Sequence, residues 1–358
     1  MADSTFVIAE AGVNHNGSIE MALELIDVAA EAQADAVKFQ TFSATKLATA
    51  SAVKADYQVE NTKEQGGQLE MLRKLELSLS DHHILVERCK QRGIHFMSTG
   101  FDSEAIAFLS TLGMPALKVP SGDITCGPLL LQVARLKMPL IVSTGMSTIA
   151  EIEDALGVIA FGLTRDEEPR SREDFMAAYC SAAGRHALEG QVTLLHCVTQ
   201  YPAPAEAINL RAMDTMRAAF GLPVGYSDHT LGIEVSLAAV ARGASVIEKH
   251  FTLDRTLPGP DHAASLEPNE LRNMVRGIRN IELALGSTIK APAAQEVGNR
   301  PVARRSIVAA RPIRAGDRLT IEDLTWKRPG TGLSPLDAWG LIGRPALRDY
   351  ATDEPIAP

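Results

Sequence analysis

Eight short apolar runs, each followed by a stretch with apolar residues at helical spacing, alternate along residues 6–286. The runs are "FVIAEAG", "AVKFQTF", "HFMSTG", "ALKVPSG", "PLIVSTG", "VTLLHCV", "PVGYSD" and "SVIEKHF", beginning at Phe6, Ala36, His95, Ala116, Pro139, Val192, Pro223 and Ser245. Alternating strands and helices are typical of a parallel sheet, and eight units predict a closed (β/α)8 TIM barrel. An open doubly wound sheet shares the pattern. The barrel is favoured because eight units match its usual length of ~250 residues. No GxGxxG follows the first run, so a dinucleotide-binding fold has no support.

The sequence predicts a barrel domain over 1–286, a linker over 287–302 and a small C-terminal domain over 303–358. The linker is polar and poorly periodic, whereas the last segment has short β-like runs with tight turns. Two segments exceed ordinary loops, namely 43–79, which contains the helical pattern "QLEMLRKLELS", and 162–190. Either segment is a functional lid or an inert surface insertion.

Charge and hydropathy exclude several classes of protein. The net charge is −9, with 44 acidic against 35 basic residues, so no nucleic-acid partner is expected. No apolar run approaches the ~20 residues that cross a membrane, and "MADSTFVIAE" does not resemble a signal peptide. Four cysteines without paired spacing indicate reduced thiols, so we expect a cytoplasmic protein without membrane partners.

Nearly every predicted strand ends in a polar or ionisable residue. In a TIM barrel these ends face the active site, so the pattern predicts a polar site at one end of the barrel. Lys38 and Lys118 directly follow apolar strand residues, and "PSG", "STG" and "YSD" add hydroxyls and turn amides. Such groups can hold phosphate and carboxylate, although each lysine could also be an ordinary surface residue.

His229 and His250 end the seventh and eighth predicted strands, which are neighbours in a barrel. Two imidazoles completed by water and substrate oxygens suit Mn²⁺, Co²⁺ or Zn²⁺, but a hydrogen-bonded histidine pair without metal fits the spacing equally well. Glu10 could be a base, a carboxylate near the metal, or a purely structural residue. Glu248 and Lys249 flank His250, and we expect them to pair with neighbours.

The motifs resemble those of the sialic acid (N-acetylneuraminate) synthases, which include the N,N'-diacetyllegionaminate synthases. The matching stretches run in order from Ile8 to Pro335 and are "IAEAGVNHNGS", "AVKFQTF", "LKVPSGDIT", "IVSTGMST", "LLHCVTQYPAP", "GYSDHTLG", "IEKHFTLDRTLPGPDHAASLEP" and "KRPGTGLSP". The C-terminal segment is similar to the antifreeze-like SAF domain of that family. The resemblance implies condensation of phosphoenolpyruvate with N-acetylmannosamine and water, giving N-acetylneuraminate and phosphate. The alternative sugar is 2,4-diacetamido-2,4,6-trideoxymannose.

The resemblance also implies roles for individual residues. His229 and His250 match the ligands of a divalent metal, typically Mn²⁺, and Glu10 matches a carboxylate near it that handles a proton. The residues that match phosphoenolpyruvate-binding positions are Lys38, Thr99, Lys118, Ser121, Ser143, Thr199 and Ser227. Those that match sugar-binding positions are Gln40, Asp123, Tyr201 and Asp261, with Asp123 standing where the family usually has Glu. Arg328 matches an arginine that the SAF domain of one subunit brings to the barrel of the other in a domain-swapped homodimer.

Three other functions share parts of this pattern. A 3-deoxy-sugar-acid phosphate synthase also joins phosphoenolpyruvate to an aldehyde, but such enzymes normally lack the segment that contains "KRPGTG". An aldolase could form a Schiff base on Lys38 or Lys118 without metal. A non-catalytic protein could use the SAF domain for recognition beside a degenerate barrel.

Overall fold

Eight parallel strands of the computed structural model close into a barrel in the order β1 to β8. The structure describes residues 4–62 and 66–357. The strands are β1 Phe6–Gly12, β2 Ala36–Thr41, β3 His95–Gly100, β4 Leu117–Val119, β5 Leu140–Ser143, β6 Val192–Cys197, β7 Val224–Asp228 and β8 Val246–His250. The predicted TIM barrel is therefore confirmed, and an open sheet is excluded because β8 pairs with β1.

Helices cover the outside of the barrel and occupy the two long segments. Those up to β5 are α1 Ile19–Glu31, α2 Ala44–Leu47, α3 Asp56–Thr62, α4 Gln68–Arg73, α5 Leu79–Arg92, α6 Ser103–Leu109 and α7 Gly127–Arg135. Those after β5 are α8 Ile149–Thr164, α9 Arg172–Cys180, α10 Ala182–Gln191, α11 Ala212–Phe220, α12 Glu234–Ala241 and α13 Pro268–Leu285. The described residues of the segment 43–79 thus contain α2, α3 and α4, and the segment 162–190 contains α9 and most of α10.

Local sequence explains where several of these helices begin. Ser78 and Thr148 precede α5 and α8, and each side chain accepts a hydrogen bond from the backbone N–H three residues later. The side chains of the residues at those positions, Asp81 and Glu151, accept a hydrogen bond from the backbone N–H of the capping residue. Such capping boxes satisfy backbone donors that the first helical turn leaves unpaired.

Two apolar layers hold the barrel together. The larger packs the outer faces of the strands against the helices, with Val37, Phe39 and Ile247 among its buried residues. The smaller lies inside the barrel and consists of Ile8, Ala36, Met97, Ala116, Ile141, Leu195 and Val246. Side chains alternate across a strand, so the next inward residue after each of these lies two positions closer to the carboxyl end.

The chain divides into two compact units, residues 1–286 and 287–358. The second unit contains α14 Ala294–Val297, α15 Arg300–Ala303 and an antiparallel pair of strands, β9 Ser306–Ala309 and β10 Leu324–Lys327. Its own apolar core includes Ile307, Leu324 and Tyr350. Residues 287–302, expected to be an irregular linker, therefore carry one single-turn helix and the start of another.

Candidate active site

A cavity of about 240 Å³ lies at the carboxyl ends of the barrel strands. It is lined by thirteen of the fifteen predicted site residues, which are Glu10, Lys38, Gln40, Thr99, Lys118, Ser121, Ser143, Thr199, Tyr201, Ser227, His229, His250 and Asp261. A larger groove of about 600 Å³ lies between α7, α8 and α9, but none of the predicted site residues lines it. The cavity is therefore the candidate active site.

Two lysines and two carboxylates form a buried charge network in this cavity. The Nζ of Lys38 lies 2.6 Å from Oε2 of Glu10 and 3.5 Å from Oε2 of Glu248. Lys118 donates a hydrogen bond of 3.1 Å to Oε1 of Glu248, which also accepts one of 2.9 Å from the hydroxyl of Ser227. All four charged side chains are almost completely buried, so each charge depends on its partners for compensation.

The two carboxyl groups of the network have opposite pKa shifts. Burial raises the pKa of Glu10 to about 7; Lys38 opposes this shift and Glu248 adds to it. Burial also acts to raise the pKa of Glu248, but Lys118 and Lys38 outweigh it and hold this pKa well below its usual range. Glu10 can therefore exchange a proton near neutral pH while Glu248 stays ionised.

The histidines at the ends of β7 and β8 come together on one side of the cavity. The ring centroids of His229 and His250 are 5.7 Å apart, and Tyr201 stacks on His229 at 4.1 Å. Nδ1 of His229 donates to the carbonyl of Val198 at 2.6 Å, which leaves Nε2, 3.4 Å from the hydroxyl of Ser227, as the nitrogen with a free lone pair. Burial lowers the pKa of His229 to about 4 and that of His250 well below its usual value, so both rings are neutral at pH 7.

Neutral imidazole is the form of histidine that binds metal ions. Nδ1 of His250 is buried without a hydrogen-bond partner in the described part of the chain, and the nearest carboxylate oxygen, from Asp261, is 3.9 Å away. Across residues 4–62 and 66–357 no group of three or more His, Cys, Asp or Glu side chains is arranged to hold a metal. The residues present therefore fit a divalent cation that takes two protein nitrogens and fills its other positions with water or substrate oxygens.

Hydroxyl groups from Ser121, Ser143 and Thr199, at or just after the ends of β4, β5 and β6, line the cavity together with the lysines. The N–H of Gly145 donates to the hydroxyl of Ser121 at 3.0 Å, and a Cβ at Gly145 would lie 2.3 Å from Oγ1 of Thr199. The close approach of these three residues therefore requires glycine. The hydroxyl of Ser143 is buried without a partner among the described residues, so it is available to a bound oxyanion.

Two predicted site residues do not line the cavity. Asp123 lies in a single 3₁₀ turn, Ser121–Asp123, directly after β4, where burial raises the pKa of its carboxyl to about 6. Arg328 belongs to the second unit, where it is exposed and its Nε donates to the carbonyl of Ala303 at 2.8 Å. Their roles toward the sugar and toward a partner subunit stay predictions.

The fold brings to the cavity several residues that were not predicted to belong to the site. Glu248 was expected only to pair with neighbours, but it connects Lys38, Lys118 and Ser227 inside the barrel. Tyr57 comes from α3 in the inserted segment, and its ring lies 5.2 Å from that of Tyr201. Met71, Leu72 and Leu75, from α4 and the residues after it, form an apolar wall. Glu248 could have been found from the alternation of β8, because it shares the inward face with His250.

Comparison with known proteins agrees with this geometry. The NeuB family profile matches residues 25–290, and the SAF domain profile matches residues 304–358. The chain belongs to the NeuB family. It is 47% identical to the N,N'-diacetyllegionaminic acid synthase of Legionella pneumophila, over 94% of this chain and 89% of that protein. It is 44% identical to the enzyme of the same name from Campylobacter jejuni, over 98% of both chains.

A solved structure supports the same assignment. The N-acetylneuraminic acid synthetase of Leptospira borgpetersenii, in complex with citrate, superposes with a TM-score of 0.67 at 33% identity. The match covers 83% of this chain and 90% of that one. The predicted family, the barrel followed by a SAF domain, and an enzyme of the sialic acid synthase type are therefore confirmed. Within the described residues, no helix combines the length and apolarity needed to cross a membrane.

Proposed function

We propose that this NeuB-family chain condenses phosphoenolpyruvate with the open-chain aldehyde of an N-acylated mannosamine-type sugar, giving a nonulosonic acid and phosphate. The observation that carries the proposal is the pairing, in one cavity, of a buried two-lysine network with two neutral histidines. The lysines suit a polyanionic substrate, and the histidines suit a metal ion beside a carbonyl oxygen.

Phosphoenolpyruvate would bind between Lys38 and Lys118. In the structure, both ammonium groups are paired with carboxylates. The phosphate or carboxylate of an incoming substrate would therefore compete with Glu10 and Glu248 for the two lysines. The hydroxyls of Ser121 and Ser143 line the same cavity and can donate to the remaining oxygens. Adding negative charge beside Glu10 raises the pKa of its carboxyl further, so we expect Glu10 to take up a proton when phosphoenolpyruvate binds.

Glu10 would then move protons in both halves of the reaction. C3 of phosphoenolpyruvate bonds to the aldehyde carbon, and the aldehyde oxygen takes the proton of Glu10. Water adds to C2 and gives one proton to the Glu10 carboxylate. The resulting C2 hydroxyl loses its proton to the departing phosphate as the C–O bond breaks and the ketone forms. This sequence balances all atoms and returns Glu10 to its protonated form.

His229 and His250 would hold a divalent metal, for which we propose Mn²⁺. When bound there, the metal would act as a Lewis acid on a carbonyl oxygen. Tyr201 stacks against His229 and lies edge-on to His250, so it helps to keep both rings in place.

Two sugars are candidates for the aldehyde substrate. N-acetylmannosamine is the sugar that the family resemblance favours. The apolar wall of Met71, Leu72 and Leu75 favours 2,4-diacetamido-2,4,6-trideoxymannose, because this sugar has a methyl group at C6 and an acetamido group at C4 in place of hydroxyls. The names of the 47% and 44% identical relatives point the same way.

The assembly and location are further proposals. From the resemblance we propose a domain-swapped homodimer in which Arg328 of one chain completes the site of the other, and a monomer in analytical ultracentrifugation would contradict it. All four cysteines are free thiols, which supports the cytoplasmic location that we propose. Fractionation that places the protein outside the cytoplasm would overturn that location.

Phosphate release from phosphoenolpyruvate tests the reaction. Metal-stripped enzyme is assayed with each sugar separately, with and without Mn²⁺, and with a phosphorylated mannosamine as a third substrate. We expect Mn²⁺-dependent release that requires a non-phosphorylated sugar, with a nonulosonic acid as the product by mass spectrometry. Lys118→Met should be inactive, whereas Lys90→Met, which changes an exposed lysine on α5, serves as the matched control.

Three outcomes would contradict the proposal. Release only with the phosphorylated sugar would favour a sugar-phosphate synthase, and no release with any of the three sugars would leave the reaction without support. A borohydride-stable adduct of pyruvate on Lys38 or Lys118 would favour the aldolase.

A further inference from the structure

Asp228 and Lys249 form an ion pair directly beneath the two histidines. They are the last residues before His229 and His250, and they lie opposite each other in the pairing of β7 with β8. Their side chains point away from the cavity, toward the layer between strands and helices, and the Lys249 Nζ lies 3.0 Å from Oδ2 of Asp228. Both side chains are 0% exposed, which distinguishes this pair from the other ion pairs among the described residues.

The Asp228 carboxylate has a full set of hydrogen-bond donors. Its Oδ1 accepts bonds from the backbone N–H and the hydroxyl of Thr230, at 2.9 Å and 2.7 Å. Its Oδ2 accepts a bond of 2.6 Å from the hydroxyl of Ser236 on α12, in addition to the contact with Lys249. The carboxylate therefore fixes the backbone on both sides of His229, since Asp228 precedes that residue and Thr230 follows it.

Lys249 connects this arrangement to the strand of the second histidine. Its ammonium group donates to the carbonyl oxygen of Thr230 at 2.5 Å as well as contacting Asp228. One side chain on β8 thus holds two points of the loop that carries His229. Burying such a pair contributes little net stability compared with apolar residues of the same volume, because desolvation offsets the attraction. A role in fixing geometry is the better physical account of the pair.

The two imidazole rings differ in how they are oriented. The ring of His229 is fixed by its own hydrogen bond to Val198, the arrangement usual for metal-binding histidines. The ring of His250 has no comparable bond, because Nδ1 lies 3.9 Å from the Asp261 carboxylate and is otherwise unpaired within the described chain. The position of His250 relative to His229 therefore depends on how the ends of β7 and β8 are held together.

We propose, on the basis of the metal binding proposed above, that Asp228 and Lys249 are positioning residues that set the separation of His229 and His250 for one shared divalent cation. The pair does not touch the cavity and takes no part in the chemistry. Its removal loosens the strand ends, so the two nitrogens no longer meet one cation in a single geometry.

Mn²⁺ binding to the full-length protein tests this role without any substrate. Free Mn²⁺ is titrated by electron paramagnetic resonance, and thermal unfolding and amide hydrogen exchange of residues 229–233 are measured on the same metal-free samples. We expect Lys249→Met to raise the Mn²⁺ Kd at least tenfold, to lower Tm and to speed exchange in that segment. The double variant Asp228→Asn/Lys249→Met buries no unpaired charge, so we expect it to regain Tm while the Kd stays at least tenfold raised.

A matched control lies at the opposite end of the barrel. Asp35 accepts hydrogen bonds from Arg279 and from the backbone of Val7, so this ion pair also connects a strand to a helix. Asp35→Asn should lower Tm while leaving the Kd for Mn²⁺ within twofold of the wild type.

Several results would overturn the role of the pair. One is a Kd for Mn²⁺ within twofold of the wild type in both Lys249→Met and the double variant. Another is a double variant in which the Kd returns to the wild-type value together with Tm. If neither variant folds, Ser236→Ala decides, because it removes one donor to Asp228 and should weaken Mn²⁺ binding about threefold; an unchanged Kd would count against positioning. Wild-type protein that binds no Mn²⁺ would instead refute the proposed metal site, and the positioning role with it.

Discussion

The interior of this barrel contains two rings of side chains that differ sharply in chemistry. The lower ring is apolar and consists of Ile8, Ala36, Met97, Ala116, Ile141, Leu195 and Val246. Two residues further along the same strands, the upper ring consists of Glu10, Lys38, Thr99, Lys118, Ser143, Cys197 and Glu248, and β7 adds Ser227. A distance of two residues along each strand therefore separates the apolar interior of the barrel from the candidate active site.

The two rings make opposite contributions to stability and function. Burial of the lower ring stabilises the fold in proportion to the apolar area removed from water. The upper ring buries two ammonium groups and two carboxylates, and the ion pairs between them offset the cost of removing these charges from water. The fold can accommodate these charges because rigid strands and the apolar ring hold them at fixed distances. Variants in and above the two rings test whether they are separable in this way.

Loss of either histidine at the top of the barrel should have the largest effect. We expect His229→Ala and His250→Ala each to lower kcat by at least ~10³-fold, because each removes one of the two protein nitrogens that would hold the proposed metal. Phosphate release and circular dichroism measure activity and fold in parallel. His196→Ala is the matched control, since this ring on β6 bonds to the carbonyl of Ile208 and does not line the cavity. Full activity in either site variant would refute the metal assignment.

Glu10→Gln should have the next largest effect, on both rate and proton balance. We expect kcat to fall ~10²-fold or more, the usual contribution of a positioned proton carrier. In the wild type, kcat/KM should decrease as the pH rises through about 7, because burial raises the pKa of Glu10 to about that value. The kcat/KM of the variant should not show this decrease. Calorimetry in buffers of different ionisation enthalpy should show proton uptake on phosphoenolpyruvate binding by the wild type but not by the variant.

The same raised pKa has a consequence for stability. Because the folded-state pKa of Glu10 lies above the ordinary value of 4.5, the carboxyl favours the folded state at low pH. This contribution is lost as the pH rises from 4.5 through about 7. The unfolding free energy of Glu10→Gln relative to the wild type should therefore increase over that interval. A difference that does not vary with pH would mean that Glu10 has an ordinary pKa.

Much of the barrel and its upper ring could be predicted from sequence, because both follow from strand periodicity. The runs around Lys38, Lys118 and His250 each have the pattern of an apolar strand that ends in ionisable residues. In a barrel, the carboxyl ends of all strands lie at the same end. Glu248 was missed although the same alternation places it inward with His250 and turns Lys249 outward. Three ionisable residues in succession concealed that pattern.

Other parts of the site depend on tertiary structure that no local pattern encodes. Tyr57 and the apolar wall of Met71, Leu72 and Leu75 come from an inserted segment, and spacing does not tell where an insertion folds. Asp123 follows a strand of only three residues, so the backbone of one 3₁₀ turn decides where its carboxyl points. The partners of Asp228 are likewise contributed by another strand and by α12.

A matched pair of variants on β5 provides the finest test of the two rings. Ile141 belongs to the lower ring and Ser143 to the upper ring, two residues apart on the same face. Ile141→Ala should lower the unfolding free energy by about 2–5 kcal/mol, the usual loss for a large-to-small change in a core. Its kcat and KM per folded molecule should stay within about twofold of the wild type, because the side chain does not line the cavity.

Ser143→Ala should show the reverse. Its hydroxyl is buried without a partner among the described residues, so removal leaves the unfolding free energy unchanged to within about 0.5 kcal/mol or raises it slightly. The KM for phosphoenolpyruvate should rise about tenfold, because a hydrogen bond to a charged group contributes about 1.5–3 kcal/mol. Urea unfolding and steady-state kinetics on both variants check the pair. A KM increase in Ile141→Ala equal to that in Ser143→Ala would show that the apolar ring also shapes the site, and the two rings would not be separable.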